Sequence, residues 1–140
     1  MRRIRALTYV LAAILLTACG SDAGTNPAEE TLSGTFLLQS VNGNGLPFST
    51  EDEGAVVTLN SASIAFQLNG TFNQSTSTTV TQAGQTLGPA SVLLAGTFVY
   101  VASTHAVSLR SSDGAQIAGT VLNNTMTLQD DGDTYVFNRQ

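Results

Sequence analysis

The side chains best able to do chemistry in this chain are its acids, and most of them come in runs. Asp130-Asp131-Gly132-Asp133 sets three carboxylates within one short stretch, the way a calcium-binding loop begins. Such a loop also needs further spaced oxygens and a bidentate Glu at its twelfth position, which falls beyond Gln140. The expected alternative is an acidic hairpin tip, in which Asp and Gly satisfy turn geometry. Glu51-Asp52-Glu53, between Thr50 and Gly54, is a second run and reads as a solvated loop. No metal site is expected at either.

Catalysis finds little support. His105 is the only histidine, so it cannot build a histidine-based zinc site. It sits at an expected turn between Tyr100 and Val107, where a solvated imidazole is the ordinary case. The chain has no Gly-x-Ser-x-Gly elbow to expose a nucleophilic serine. A glycosidase needs two converging carboxylates, whereas all ten acids fall in an N-terminal tether or in expected loops. The sequence therefore predicts no catalytic residue, no cofactor and no enzymatic activity.

One cysteine remains, and its surroundings explain it. Arg2, Arg3 and Arg5 precede an uncharged run from Ala6 to Ala18, the order of a secretory signal peptide. That run is well short of the ~20 residues a transmembrane helix needs. Leu16-Thr17-Ala18-Cys19 resembles the lipobox of bacterial lipoproteins. The resemblance implies cleavage before Cys19, a diacylglyceryl thioether on its sulfur, and acylation, for example with palmitate, of its new amine. Two or more acyl chains anchor stably where one does not. No second cysteine exists to form a disulfide. Gly20 follows the cysteine, where Asp commonly retains lipoproteins in the inner membrane. The implied location is the bacterial cell envelope, at the periplasmic face of the outer membrane rather than the inner one.

Losing the signal leaves Arg110 and Arg139 against ten acids, a mature charge of about −8, and the chain has no lysine. Counterion release at phosphates needs several cations, so nucleic acid is excluded as a partner. The expected organisation is a signal segment over 1–18, a lipidated Cys19 with a small, polar tether over 19–31, and one domain over 32–140.

From Leu32 onward apolar residues alternate rather than recur at helical spacing. Ile64, Phe66 and Leu68 run into Asn69-Gly70; Val107 and Leu109 run toward Asp113-Gly114. Ile117 to Leu122 turns at Asn123-Asn124, and the last strands meet at Asp131-Gly132. Gly-Thr-Phe recurs at Gly34, Gly70 and Gly96, with Gly-Thr-Val at Gly119. The expected role of each Gly is a turn or bulge where a strand starts, with Thr outward and the next residue inward.

Leu32 to Pro47 and the final Asp133 to Gln140 resemble small lipocalin-like domains carried on bacterial lipoproteins. The lipocalin motif is Gly-x-Trp on the first strand, with an Arg or Lys of the last strand packed across the Trp. Gly34-Thr35-Phe36 takes the first place, with Phe36 for the Trp, and Arg139 takes the second. The resemblance implies an all-β fold: an antiparallel up-and-down β-barrel of about eight strands, closed by Phe36 and Arg139, after an N-terminal signal helix. A β-sandwich is the alternative fold.

Such a barrel is either filled by side chains or holds one small ligand. The leading expectation is a noncatalytic, lipid-anchored binding module for a small apolar or amphipathic ligand, with Phe66, Phe72, Phe98 and Tyr100 lining the pocket. The alternative is a structural or interaction protein with a filled core, such as an envelope assembly factor or an inhibitor of another protein. Its surface would come from Gln74 to Gln82 and a loop over Ala83 to Pro89.

Overall fold

Alternating side chains divide cleanly between two faces only on a strand, and strands are what this sequence makes. The computed structural model of the protein describes residues 31–140. The expected signal helix, Cys19 and the tether through residue 30 lie outside the described residues. Ten strands follow: β1 (Gly34–Val41), β2 (Asn44–Gly45), β3 (Phe48–Asp52), β4 (Ala55–Phe66), β5 (Thr71–Gln82), β6 (Gln85–Val101), β7 (Ala106–Ser111), β8 (Gln116–Leu122), β9 (Thr125–Asp130) and β10 (Asp133–Arg139).

Neighbouring strands from β4 to β10 pair in sequence order, all antiparallel. The sheet closes because β1 serves two partners. One edge pairs with β10, Phe36 opposite Arg139, and the other pairs with the end of β4, Phe36 opposite Ile64. β1 and β4–β10 thus form an eight-stranded, lipocalin-like up-and-down barrel rather than a sandwich. The two extra strands extend it: β2 folds back on β1, and β3 takes the half of β4 that β1 leaves free, Ala55 to Leu59.

Tight turns fix the register. Four hairpins close around two residues that both have positive φ: Asn42-Gly43, Glu53-Gly54, Ala83-Gly84 and Asp131-Gly132. This is the type I′ signature, whose twist matches that of the flanking strands. Two expected loops are corrected here. Glu51 and Asp52 belong to β3, leaving only Glu53-Gly54 as the turn, and β6 begins at Gln85 rather than after Pro89. Positive φ at Glu53 and Ala83 hid these turns, because neither residue type advertises it.

The Gly-Thr-Phe pattern has two physical origins. Gly34 and Gly70 have φ of 103° and 81° at strand starts, as expected. Gly96 and Gly119 sit inside β6 and β8 instead. A Cβ on Gly96 would strike the Arg110 carbonyl and the Phe72 ring, and one on Gly119 would strike the Thr127 carbonyl and Leu128. These two glycines let neighbouring backbone and inward side chains approach closely.

Among the described residues, the buried core runs from Leu32 to Phe137 as one cluster. Leu32, Phe36, Val121 and Met126 are buried at the end where the chain enters. Phe36 meets Phe66 edge-to-face at 5.7 Å, and Phe66 meets Phe98 at 4.8 Å. The Arg139 guanidinium lies 5.1 Å from the Phe36 ring centroid. Arg139 is exposed, so a cation–π contact here contributes about 0.5–1 kcal/mol. Phe36→Leu and Arg139→Ala should each lower the urea midpoint, and a double-mutant cycle should show coupling of about that size. Strictly additive effects would mean that the contact stabilises nothing.

Candidate functional site

The two ends of the barrel are built from different residues. Reading five of the strands toward the end opposite chain entry into the barrel, the inward positions lose apolar bulk. Phe72 gives way to Gln74 and Thr76 on β5, Val107 and Leu109 to Ser111 on β7, and Met126 and Leu128 to Asp130 on β9. On β4 the series is Phe66, Ile64, Ala62, and on β10 it is Phe137, Tyr135, Asp133. Aromatics therefore plug one end, while small or polar side chains leave the other unfilled.

The unfilled end holds a cavity of ≈ 220 Å³. Ile64, Leu128 and Phe137 form its buried floor, and Leu38, Leu59, Ala62 and Ile117 its walls. Its polar atoms come from Gln74, Thr76, Asp130 and Tyr135. Gln74 Nε2 donates to Thr76 Oγ1 at 3.3 Å, so part of the polar surface is already satisfied within β5.

One wall stands higher than the rest. β6 pairs with β7 only from Gly96 to Val101, yet it continues back to Gln85 alongside β5. With β4 and β3 it forms a flap beyond the mouth. The flap face continuous with the cavity carries Leu59, Val57, Val80, Val92 and Leu87, placed together by cross-strand register. Val92 and Leu87 are 57% and 69% exposed, an apolar surface without cover among the described residues.

The rim is acidic. Asp52 and Glu53 mark the β3–β4 tip, Asp113 the β7–β8 turn, and Asp130, Asp131 and Asp133 the β9–β10 turn. Asn42, in the β1–β2 turn, ties itself to the β9–β10 turn: its Nδ2 donates to Asp133 Oδ1 at 2.7 Å and its Oδ1 accepts from the Thr134 N–H at 2.9 Å. Asp113 accepts from the Ser111 hydroxyl and, at 3.1 Å, from the Ala115 N–H, and these bonds hold its carboxyl below its ordinary range. Tyr135 is affected oppositely. Burial, then the charges of Asp133, Asp130 and Asp131, push its phenol above the usual tyrosine value. No group of three His, Cys, Asp or Glu side chains able to hold one metal ion occurs among the described residues.

The residues expected to line a pocket stand elsewhere. Phe66 and Phe72 are buried in the plug, with Phe98 packed against them. Tyr100 lines a second pocket, of ≈ 410 Å³ and with mixed polar and apolar walls, at the plugged end, beside His105, Leu32, Val121 and Arg139. None of the four touches the mouth cavity. Aromatic bulk marked the filled half of the barrel; the cavity lies where inward positions turn small and polar. His105 occupies the β6–β7 turn with φ of 57°, and its carbonyl accepts the Val121 N–H at 2.8 Å.

Comparison with family models, curated proteins and solved structures found no match to this chain. What the site can do follows from its geometry: it can enclose a small apolar group and meet it at the rim with negative charge.

The raised phenol of Tyr135 has a signed consequence. A folded-state value above the unfolded one contributes stability that is fully present below the unfolded pKa and is lost as pH rises through the folded pKa. Stability should therefore fall above the ordinary tyrosine range, about pH 10, and Tyr135→Phe should remove part of that loss. Absorbance titration of a Tyr100→Phe chain lacking residues 1–18 reads Tyr135 alone. Its midpoint should lie above the ordinary value and move down in Asp130→Asn/Asp131→Asn.

Proposed function

We propose that this protein is a noncatalytic binding module of the bacterial cell envelope, anchored by lipid on Cys19 and taking a small apolar or amphipathic ligand into the barrel mouth. The observation that carries this reading is the largely apolar cavity at the barrel mouth. A plugged barrel would have no room, whereas ≈ 220 Å³ exceeds the roughly 150 Å³ of an engineered protein cavity that binds benzene. Location at the periplasmic face of the outer membrane rests on the signal-like and lipobox-like residues before Gly20.

Topology fits such an anchor. The chain enters the barrel at Leu32, in the plugged end, and the mouth opens opposite. A tether from Cys19 would therefore approach the plugged end and leave the mouth accessible. Negative charge at the rim would also keep that end away from anionic lipid headgroups.

A second reading, an interaction protein, is favoured by the free edge of β6. Ser112 N–H reaches the Ala95 carbonyl at 2.9 Å, and before that point β6 has no partner on this side among the described residues. Strand alternation turns the backbone groups of Leu93 and Ser91 toward the same open edge. No charged residue lies between Gln85 and Ala95, and Leu93 is 79% exposed. Edges of this kind invite strand pairing, and a second copy of the same uncharged edge, run antiparallel, is self-complementary.

Native mass spectrometry of the full chain extracted from bacterial membranes reads the anchor, the ligand and the assembly together. The expected species lacks residues 1–18, carries acyl mass on Cys19, and retains a small-molecule adduct that is lost in Ala62→Phe. An unacylated chain would overturn the anchoring. A folded, ligand-free monomer would argue against the binding module, and a ligand-free dimer would favour the β6 edge.

A further inference from the structure

The mouth has a charge as well as a volume, and the charge narrows the ligand class. All seven acids of the described residues lie in the strand ends and turns of this end: Glu51, Asp52, Glu53, Asp113, Asp130, Asp131 and Asp133. Asp130 contributes directly to the cavity lining. The two arginines of the described residues do not balance them inside. Arg139 lies at the plugged end against Phe36. Arg110 sits on β7 between inward-facing Leu109 and Ser111, so its side chain leaves the outer wall.

A carboxylate or sulfate head on a ligand seated in this cavity would therefore find no counter-ion among the described residues and would meet like charge at Asp130. A cationic head would meet complementary potential in a partly dehydrated setting, where charges are screened less than in open water. The Tyr135 ring in the cavity wall adds a face on which a cation is attracted by the ring quadrupole.

We infer that the barrel mouth selects amphiphiles whose apolar part ends in a cation, such as amines or quaternary ammonium compounds, over fatty acids and other anions. The inference rests on the binding-module reading and assigns it a ligand class. The apolar part enters first, against Ile64, Leu128 and Phe137, and the ammonium group stays at the level of Asp130 and Tyr135. The apolar flap residues Val92 and Leu87 offer cover to a longer tail.

Three probes with one apolar part test this: 4-phenylbutylamine, 4-phenylbutanol and 4-phenylbutyrate. Binding is measured by calorimetry at neutral pH on the chain from residue 19 onward carrying Cys19→Ser. The expected order is amine, alcohol, carboxylate, with roughly tenfold between the first and last at low salt. Raising salt from about 0.02 M to about 0.5 M should shrink that ratio, since screening shortens the reach of the rim charges. Asp130→Asn/Asp131→Asn should bring it to within about threefold. Equal affinities, or tighter binding of the carboxylate, would overturn the charge selection while leaving a binding cavity in place. If a folded chain bound none of the three, the binding-module reading itself would fall, and the ligand class with it.

Discussion

The structure depends on one strand having two neighbours. β1 must pair with β10 on one edge and with the last residues of β4 on the other, because an unclosed sheet of this length would leave long edges exposed. Only Gly34 to Leu37 makes the contact with β4. Phe36 lies in the middle of that seam, fully buried, with Ile64 opposite on one side and Arg139 on the other. Closing the barrel at the end where the chain enters also decides which end stays open. Aromatic bulk from Phe36, Phe66, Phe72 and Phe98 gathers around the seam, and the inward positions farther along β4, β5, β7, β9 and β10 are left to smaller or more polar side chains.

Closure at one end allows irregularity at the other. The free half of β4 is taken by β3, and β5 and β6 run on past the end of β7. An extra residue at Asn60 interrupts the β4–β5 register near the transition, and a second irregularity interrupts β5–β6 around Gly88 and Pro89. Bulges bend a sheet and increase its local twist, which suits a wall that leaves the cylinder to become a flap. The acids of the rim follow from the same arrangement. The turns at this end are tight and solvated, and Asp and Gly suit them, so turn chemistry and a negative mouth arise together.

Much of the fold was legible because its grammar is local. Period-two alternation and the Asn69-Gly70, Asp113-Gly114, Asn123-Asn124 and Asp131-Gly132 turns mark the later strands, and Phe36 with Arg139 marks the two chain ends that meet. What was hidden depends on context. Glu53 and Ala83 adopt left-handed backbone in turns that their types do not announce. Gly96 and Gly119 are needed for close approach across strands, which spacing along one strand does not reveal. The cavity was missed for a similar reason. A large aromatic reads as a pocket wall, but several aromatics converging on one seam fill it. The usable signal lay in the ladders Phe72-Gln74-Thr76 and Met126-Leu128-Asp130, whose polarity rises toward one end.

Fold and proposed role therefore meet in a single physical claim: this barrel is solid at the seam and receptive at the mouth. Methyl-resolved NMR of the chain from residue 19 carrying Cys19→Ser, titrated with benzene, tests it most directly, because benzene is uncharged and reports on apolar space alone. Saturable shifts should appear at Leu38, Leu59, Ile64, Ile117 and Leu128, while Val107 and Met126 stay unmoved. Unsaturable shifts, or shifts confined to the exposed Leu87 and Leu93 of β6, would contradict a receptive mouth.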